Sequence, residues 1–257
     1  MLVMAIGDVI GKPGRQAVKK VLPGLRKQYD LDMVIANGEN AAGGLGLTSN
    51  TARELLDSGV DILTSGNHIW DQKEIIPYLD EDMPILRPIN YPPGVPGRGC
   101  LTVEHVAVVS LIGRTFVGSY DCPFRAMDQL LNSLKQKYSV IIVDFHAEAT
   151  SEKIAIGRYL DGKVSAVVGT HTHVGTVDAK VFPGGTAHIT DIGMVGPEES
   201  IIGDDIDAVL KRFLTSIPQR LSVGTGSKVT FNSVIINIDE KTGRALSIER
   251  LDKSVEI

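Results

Sequence analysis

Five times along this chain a short apolar run of strand type ends in a glycine or small polar cluster and then in a side chain able to bind a metal ion. Leu2 to Ile6 leads to Gly7-Asp8, Met33 to Ala36 to Asn37-Gly38-Glu39-Asn40, and Ile62 to Thr64 to Ser65-Gly66-Asn67-His68. In the second half, Val140 to Val143 leads to Asp144-Phe145-His146, and Ala166 to Val168 to Gly169-Thr170-His171-Thr172-His173. Such runs bounded by turn residues read as buried strands. Between them the periodicity predicts helices over Gly14 to Tyr29, interrupted at Pro23, Ser49 to Ser58, closed by Gly59, Ala126 to Tyr138, and Ser151 to Leu160. Apolar strands alternating with helices imply a largely buried sheet with helices on both faces, a layered α/β architecture. Two further strands, Val229 to Ile238 and Ala245 to Leu251, follow around a turn at 239–243.

Composition narrows the function. A net charge of −5 disfavours a long polyanion such as duplex nucleic acid, which needs a basic surface. Two cysteines, Cys100 and Cys122, without Cys-x-x-Cys spacing read as reduced thiols and suit the cytoplasm. The N-terminal apolar run lacks a basic flank, and Val106 to Ile112 is too short to span a membrane. The Pro/Gly-rich stretch Pro88 to Gly99 is the candidate linker or a loop over a sheet edge, and one domain over residues 1–257 is the expectation.

In open α/β sheets, ligands bind beyond the carboxyl ends of the strands, so five such ends carrying metal-competent groups form one candidate site. Oxygen donors mixed with imidazoles, and no thiolate, suit iron or manganese, with zinc as a further option; the histidines argue against a pure calcium or magnesium site. Two such ions about 3.5 to 4 Å apart would clamp a phosphoryl group and acidify a bridging water for in-line attack. Glu39 is the natural bridging carboxylate. Asp8 would complete one ion's shell and Asn67 the other's, with His146 and the His171/His173 pair as imidazole donors. His68 is placed to protonate the departing oxygen or to stabilise charge on the phosphoryl group.

Gly7-Asp8, Gly38-Glu39-Asn40, Gly66-Asn67-His68, His146 and Gly169-Thr170-His171-Thr172-His173, in that order, resemble the motif series of calcineurin-like metallophosphoesterases. The first strand ends in Asp8-Val9-Ile10 where that superfamily usually has Asp-x-His, and Glu39 stands in the place of its bridging aspartate. Those departures, with Gly7 to Arg15, Asp144 to Lys153 and Ser200-Ile201-Ile202-Gly203, resemble the bacterial YmdB-like family of 2′,3′-cyclic-nucleotide phosphodiesterases. The resemblance implies a four-layer α/β/β/α sandwich. It implies two divalent or mixed-valence metal ions, one on Asp8, Glu39, Asn40 and His173 and the other on Glu39, Asn67, His146 and His171. It favours cyclic nucleotides, the 2′,3′ form first and the 3′,5′ form as an extension.

Other features carry less. Gly7 to Lys12 is no phosphate loop, since Pro13 stands where a serine or threonine should hold magnesium. His105 and His188 read as structural or surface residues. Asp71 and Glu148 are candidates to orient ligand imidazoles or to cap helices. Gly43 to Gly46 is a nucleotide approach or a loop, and Arg87, Asn90 and Arg114 are conceivable phosphate contacts. A phosphomonoesterase or nucleotidase on the same metals, and a nucleotide-binding regulator with incidental hydrolysis, are the competing functions. A homo-oligomer is expected, although periodicity does not separate a subunit contact from core packing.

Overall fold

The computed structural model describes residues 1–134 and 136–257. In chain order the elements are β1 (Leu2–Val9), α1 (Gly11–Tyr29), β2 (Met33–Asn37), α2 (Ser49–Asp57), β3 (Ile62–Thr64), a 3₁₀ helix (Lys73–Leu79), β4 (Cys100–Val103), β5 (Val106–Ile112), α3 (Pro123–Leu134), β6 (Val140–His146), α4 (Thr150–Tyr159) and β7 (Ala166–Thr170). Then come β8 (Lys180–Val181), β9 (Ala187–Ile189), β10 (Met194–Pro197), α5 (Ile206–Thr215), β11 (Lys228–Phe231), β12 (Ser233–Ile238), β13 (Ala245–Arg250) and β14 (Lys253–Glu256).

These strands build two sheets. In the first, β3, β2 and β1 are parallel neighbours, and the other edge of β1 is divided. Residues 2–6 pair antiparallel with β12, whereas Asp8 and Val9 pair parallel with β10. The predicted strand Val229 to Ile238 breaks at Asn232 for this reason: its first half, β11, pairs with β10 and its second, β12, with β1. In the second sheet β5, β6, β7 and β9 are parallel, with β4 and β8 antiparallel at the edges.

Three apolar cores separate four layers. Met4, Ile6 and Val34 pack under Val18, Leu22 and Leu55 of α1 and α2. Val3, Ala5 and Ile35 face Val108, Ile142 and Val168 between the sheets. Val109, Val143 and Val167 pack under Met127, Leu131 and Ile156 of α3 and α4. This is the α/β/β/α sandwich; it replaces the one sheet with helices on both faces that strand pattern alone predicts. In both arrangements each central strand is apolar on both sides, so periodicity does not distinguish a covering helix from a covering sheet.

Two local expectations change. Helix α1 runs through Pro23 without a break, because Val18, Leu22 and Leu25 anchor the same face to the core on either side of it, outweighing the one lost backbone hydrogen bond. The stretch 88–99 is an edge loop: Ile89 N–H donates to Ser110 O at 2.8 Å and Arg87 N–H to Arg98 O at 3.0 Å.

Candidate metal centre

The carboxyl ends of β1, β2, β3, β6 and β7 converge, and the eight candidate residues there form one connected cluster, His68 joining it through its backbone N–H. At its centre is His146, fully buried at the end of β6. Its Nε2 lies 3.0 Å from Glu39 Oε1, 3.1 Å from Asn67 Oδ1 and 2.9 Å from His171 Nδ1. One ring nitrogen carries at most one proton, so it cannot satisfy three lone-pair atoms together. A cation among the four atoms would satisfy all of them. Glu39, His146 and His171 offer ligand atoms all within 4.8 Å of one another.

A second donor group adjoins the first. His173 Nε2 lies 3.1 Å from the Asn40 amide and 3.7 Å from Asp8 Oδ1. His173 Nδ1 donates to Ile202 O at 2.6 Å, which leaves the Nε2 lone pair facing Asp8 and Asn40. Asp8 Oδ1 and Glu39 Oε1 are buried without a hydrogen-bond partner among the described residues. Two orphaned carboxylate oxygens in one desolvated site are expensive, and ion coordination is what such atoms are suited to.

The electrostatics agree. Burial pushes Asp8 up to about 6, against the pull of His173 and His146. Burial also opposes ionisation of Glu39, yet His146 and His68 together bring it down to about 2. Burial favours a neutral His146, but Glu39, Asp8 and Asp144 raise it to about 9. His171 is held down at about 3 by burial and then by the neighbouring His146 charge. The cluster is therefore anion-rich, and the His171 imidazole stays neutral at neutral pH.

The loop bearing His171 and His173 is strained, with φ of 102° and 64° at those residues. Such conformations cost on the order of 1–3 kcal/mol each and need external bracing. Asp191 supplies it: its Oδ2 accepts from Thr172 N–H at 3.1 Å and Thr172 Oγ1–H at 2.8 Å. Buried Lys153 on α4 then holds Asp191 Oδ2 at 2.5 Å and Thr170 O at 2.8 Å. Asp191 Oδ1 also accepts from Gly193 N–H, whose carbonyl accepts from Asp8 N–H. Behind His146, Thr170 Oγ1 lies 3.0 Å from its Nδ1 and donates to Asp144 Oδ1 at 2.7 Å. Asn37 and Thr64 also donate to Asp144.

At the mouth, His68 N–H donates to Glu39 Oε2 at 3.1 Å, and its ring Nδ1 meets Asp71 Oδ2 at 2.7 Å. Its side chain is 31% exposed, so Nε2 can face a ligand. Glu148 Oε2 lies 3.3 Å from His171 Nε2. Asp71 and Glu148 thus do contact site imidazoles.

Two suggested phosphate contacts fail. The Arg87 guanidinium is spent on the carbonyls of Pro88, Val95 and Pro96, and Asn90 is buried, tying Ile112 to Asp121. Arg114 N–H donates to the Glu152 carboxylate at 3.1 Å. His105 pairs with Glu240, and His188 is buried against Phe182. Sequence reasoning misses Asn37, Asp144, Thr170, Lys153 and Asp191 as site residues. Asp191 carries a signal that could have found it, since Thr190-Asp191-Ile192-Gly193 follows the apolar run of β9 as Gly7-Asp8 follows the apolar run Leu2 to Ile6.

Known proteins resemble this chain over nearly all of its length. Residues 4–251 match the model of a family described as YmdB-like protein. The chain is 48% identical over 255 residues to the 2′,3′-cyclic-nucleotide 2′-phosphodiesterase of Bacillus subtilis, covering 98% of this chain and 96% of that protein. A crystal structure of a hypothetical protein from Thermus thermophilus superposes with a TM-score of 0.93 at 46% identity, covering 99% of this chain and all of that one. One described as a novel phosphatase from Mycoplasma pneumoniae gives 0.93 at 32% identity, covering 100% and 94%.

Proposed function

The chain belongs to the YmdB-like family, and from that membership we propose that it is a dinuclear metal-dependent phosphodiesterase acting on small nucleotide diesters, 2′,3′-cyclic nucleotides first. The observation that carries the reading is the Nε2 atom of His146, faced by three further donor atoms that no proton can satisfy together. In this reading Glu39, Asn67, His146 and His171 would hold one ion, and Asp8, Glu39, Asn40 and His173 the other. Asn40 would present its amide oxygen, an orientation that hydrogen-bonding choice alone decides. Iron and manganese suit this mixture of oxygen and imidazole donors best, and zinc next.

When bound, such a pair supplies Lewis acidity toward phosphoryl oxygens and acidifies water. The chain's own residues do the rest. Glu39 and Asp8 contribute negative charge that offsets the ions. Thr170 and Asp144 orient the His146 ring through its Nδ1. His68, held through Nδ1 by Asp71, presents Nε2 to the departing oxygen and delivers a proton there. Attack of water on phosphorus forms the new P–O bond as the P–O2′ bond breaks, leaving the proton on O2′ and a phosphomonoester at O3′.

Elemental analysis coupled to turnover of 2′,3′-cyclic AMP, for the native chain and Glu39→Gln, tests this. About two equivalents of iron, manganese or zinc, with activity collapsing in the variant, are expected. Metal-free, inactive protein after reconstitution would overturn it. The phosphatase from Mycoplasma pneumoniae keeps monoester hydrolysis as the second reading, separated by assaying both ester classes side by side.

A further inference from the structure

Beside the metal centre lies a cavity of about 640 Å³ between the loop 201–204, α5 and Leu221. That volume falls in the range of small-molecule sites. Its position follows from contacts already given. Ile202 lines it, and the carbonyl of Ile202 is the acceptor for His173 Nδ1, so the cavity wall begins one imidazole ring from Asp8 and Asn40. Asp204 lines it too, with Arg212 on the same wall.

The walls have a particular chemistry. Ile202, Val209, Phe213 and Leu221 are apolar, whereas Asp204 and Arg212 put one acceptor group and one donor group on the same lining. Val209 is the one buried residue of α5, and Phe213 is 78% exposed. Ile202 has a φ of 51°, an outlier for a β-branched residue. Strain of that kind persists where the surroundings impose it, and ligand clamps are among those places. A heterocyclic base offers flat apolar faces and an edge bearing both donors and acceptors. An acyl chain would match Phe213 but leave Asp204 and Arg212 without partners.

We propose that this cavity is the nucleoside subsite of the centre, with the base against Phe213 and its edge toward Asp204 and Arg212, while the phosphoryl group lies at His68 and His173. This deepens the phosphodiesterase reading and rests on it for the position of the phosphoryl group. The subsite would distinguish nucleotides from simple diesters, a task the metal ligands cannot perform.

Phe213 and Arg212 are exposed on α5, so Phe213→Ala and Arg212→Ala should keep the fold, which thermal melting verifies. Calorimetry with adenosine reads the subsite without chemistry. Turnover of 2′,3′-cyclic AMP and of ethylene phosphate, a cyclic diester with no base, reads its contribution to catalysis. The expected result is adenosine affinity about tenfold weaker in Phe213→Ala, a comparable rise in KM for the cyclic nucleotide with kcat retained, and unchanged turnover of ethylene phosphate. Adenosine that does not bind the native protein, or binds both proteins equally, would overturn the proposal. So would parallel losses on both substrates. Light scattering that shows Phe213→Ala dissociating an oligomer at unaltered adenosine affinity would assign α5 to a second copy instead. Adenosine binding as expected, in a protein that turns over neither diester, would refute the phosphodiesterase reading and leave the subsite standing.

Discussion

A methyl group at Gly66 should disable the centre without replacing any ligand residue. Its Cβ would fall inside the van der Waals envelope of His146 Cδ2, Nε2 and Cγ, with no backbone strain to share the effect. The ring cannot swing away freely, because its other edge rests against Thr170 Oγ1 at 3.0 Å and it is fully buried. It must shift by roughly 1 Å, a misplacement that costs on the order of 10²-fold in turnover. Ligand atoms need placement to within about 0.2 Å, so one of two ions should be lost. Overpacking costs about 2 kcal/mol, which lowers Tm by about 4–8 °C in a chain of this size. The control is Gly38→Ala: next to Glu39 in sequence, its added Cβ meets Leu63 and Leu47 at 3.4 and 3.5 Å, which is ordinary contact. Elemental analysis, melting and turnover of 2′,3′-cyclic AMP should separate the two variants. Gly66→Ala with two metals and near-native turnover, or Gly38→Ala equally damaged, would refute the reasoning.

Three other outcomes follow. His68→Ala should lower kcat by about 10²–10³-fold and Asp71→Asn by a smaller factor, both with metal content intact; loss of metal in either would make His68 a ligand rather than a proton donor. Lys153→Met strands Asp191 as an unpaired buried charge and should cost about 3–5 kcal/mol in urea unfolding, while Lys153→Met with Asp191→Asn recovers much of that stability. Burial holds His188 down to about 4 from its ordinary 6.5, so between those pH values the unfolded chain binds the extra proton. Stability from this residue is then full above pH 6.5 and lost as pH falls toward 4, by up to about 3 kcal/mol, and His188→Leu should flatten that part of the urea-midpoint profile.

The candidate donors were legible because each stands at or just past the end of an apolar strand, a local signal. The apparatus behind them was not. Lys153 occupies a buried position of α4 beside Ile156 and Gly157, and its partner Asp191 is 38 residues away, so neither residue signals the pairing locally. The same limit explains Asn37, which reads as a turn residue but points its amide at Asp144 across the two sheets. The split edge of β1 was hidden in one apparent strand, since Asn232 separates two apolar runs with no change of pattern.

That divided edge bears on how the molecule is made. Synthesis releases β1 first, yet the strands that cover its free side, β10 and β12, emerge about 190 and 230 residues later. Until then Asp8 lacks Gly193, and the carbonyl of Asn232 is not there to receive Gly7 N–H. A nascent chain still on the ribosome would therefore carry every donor from Asp8 to His173 and no finished centre. Closure over such separations is slow, so the candidate centre should assemble late in folding.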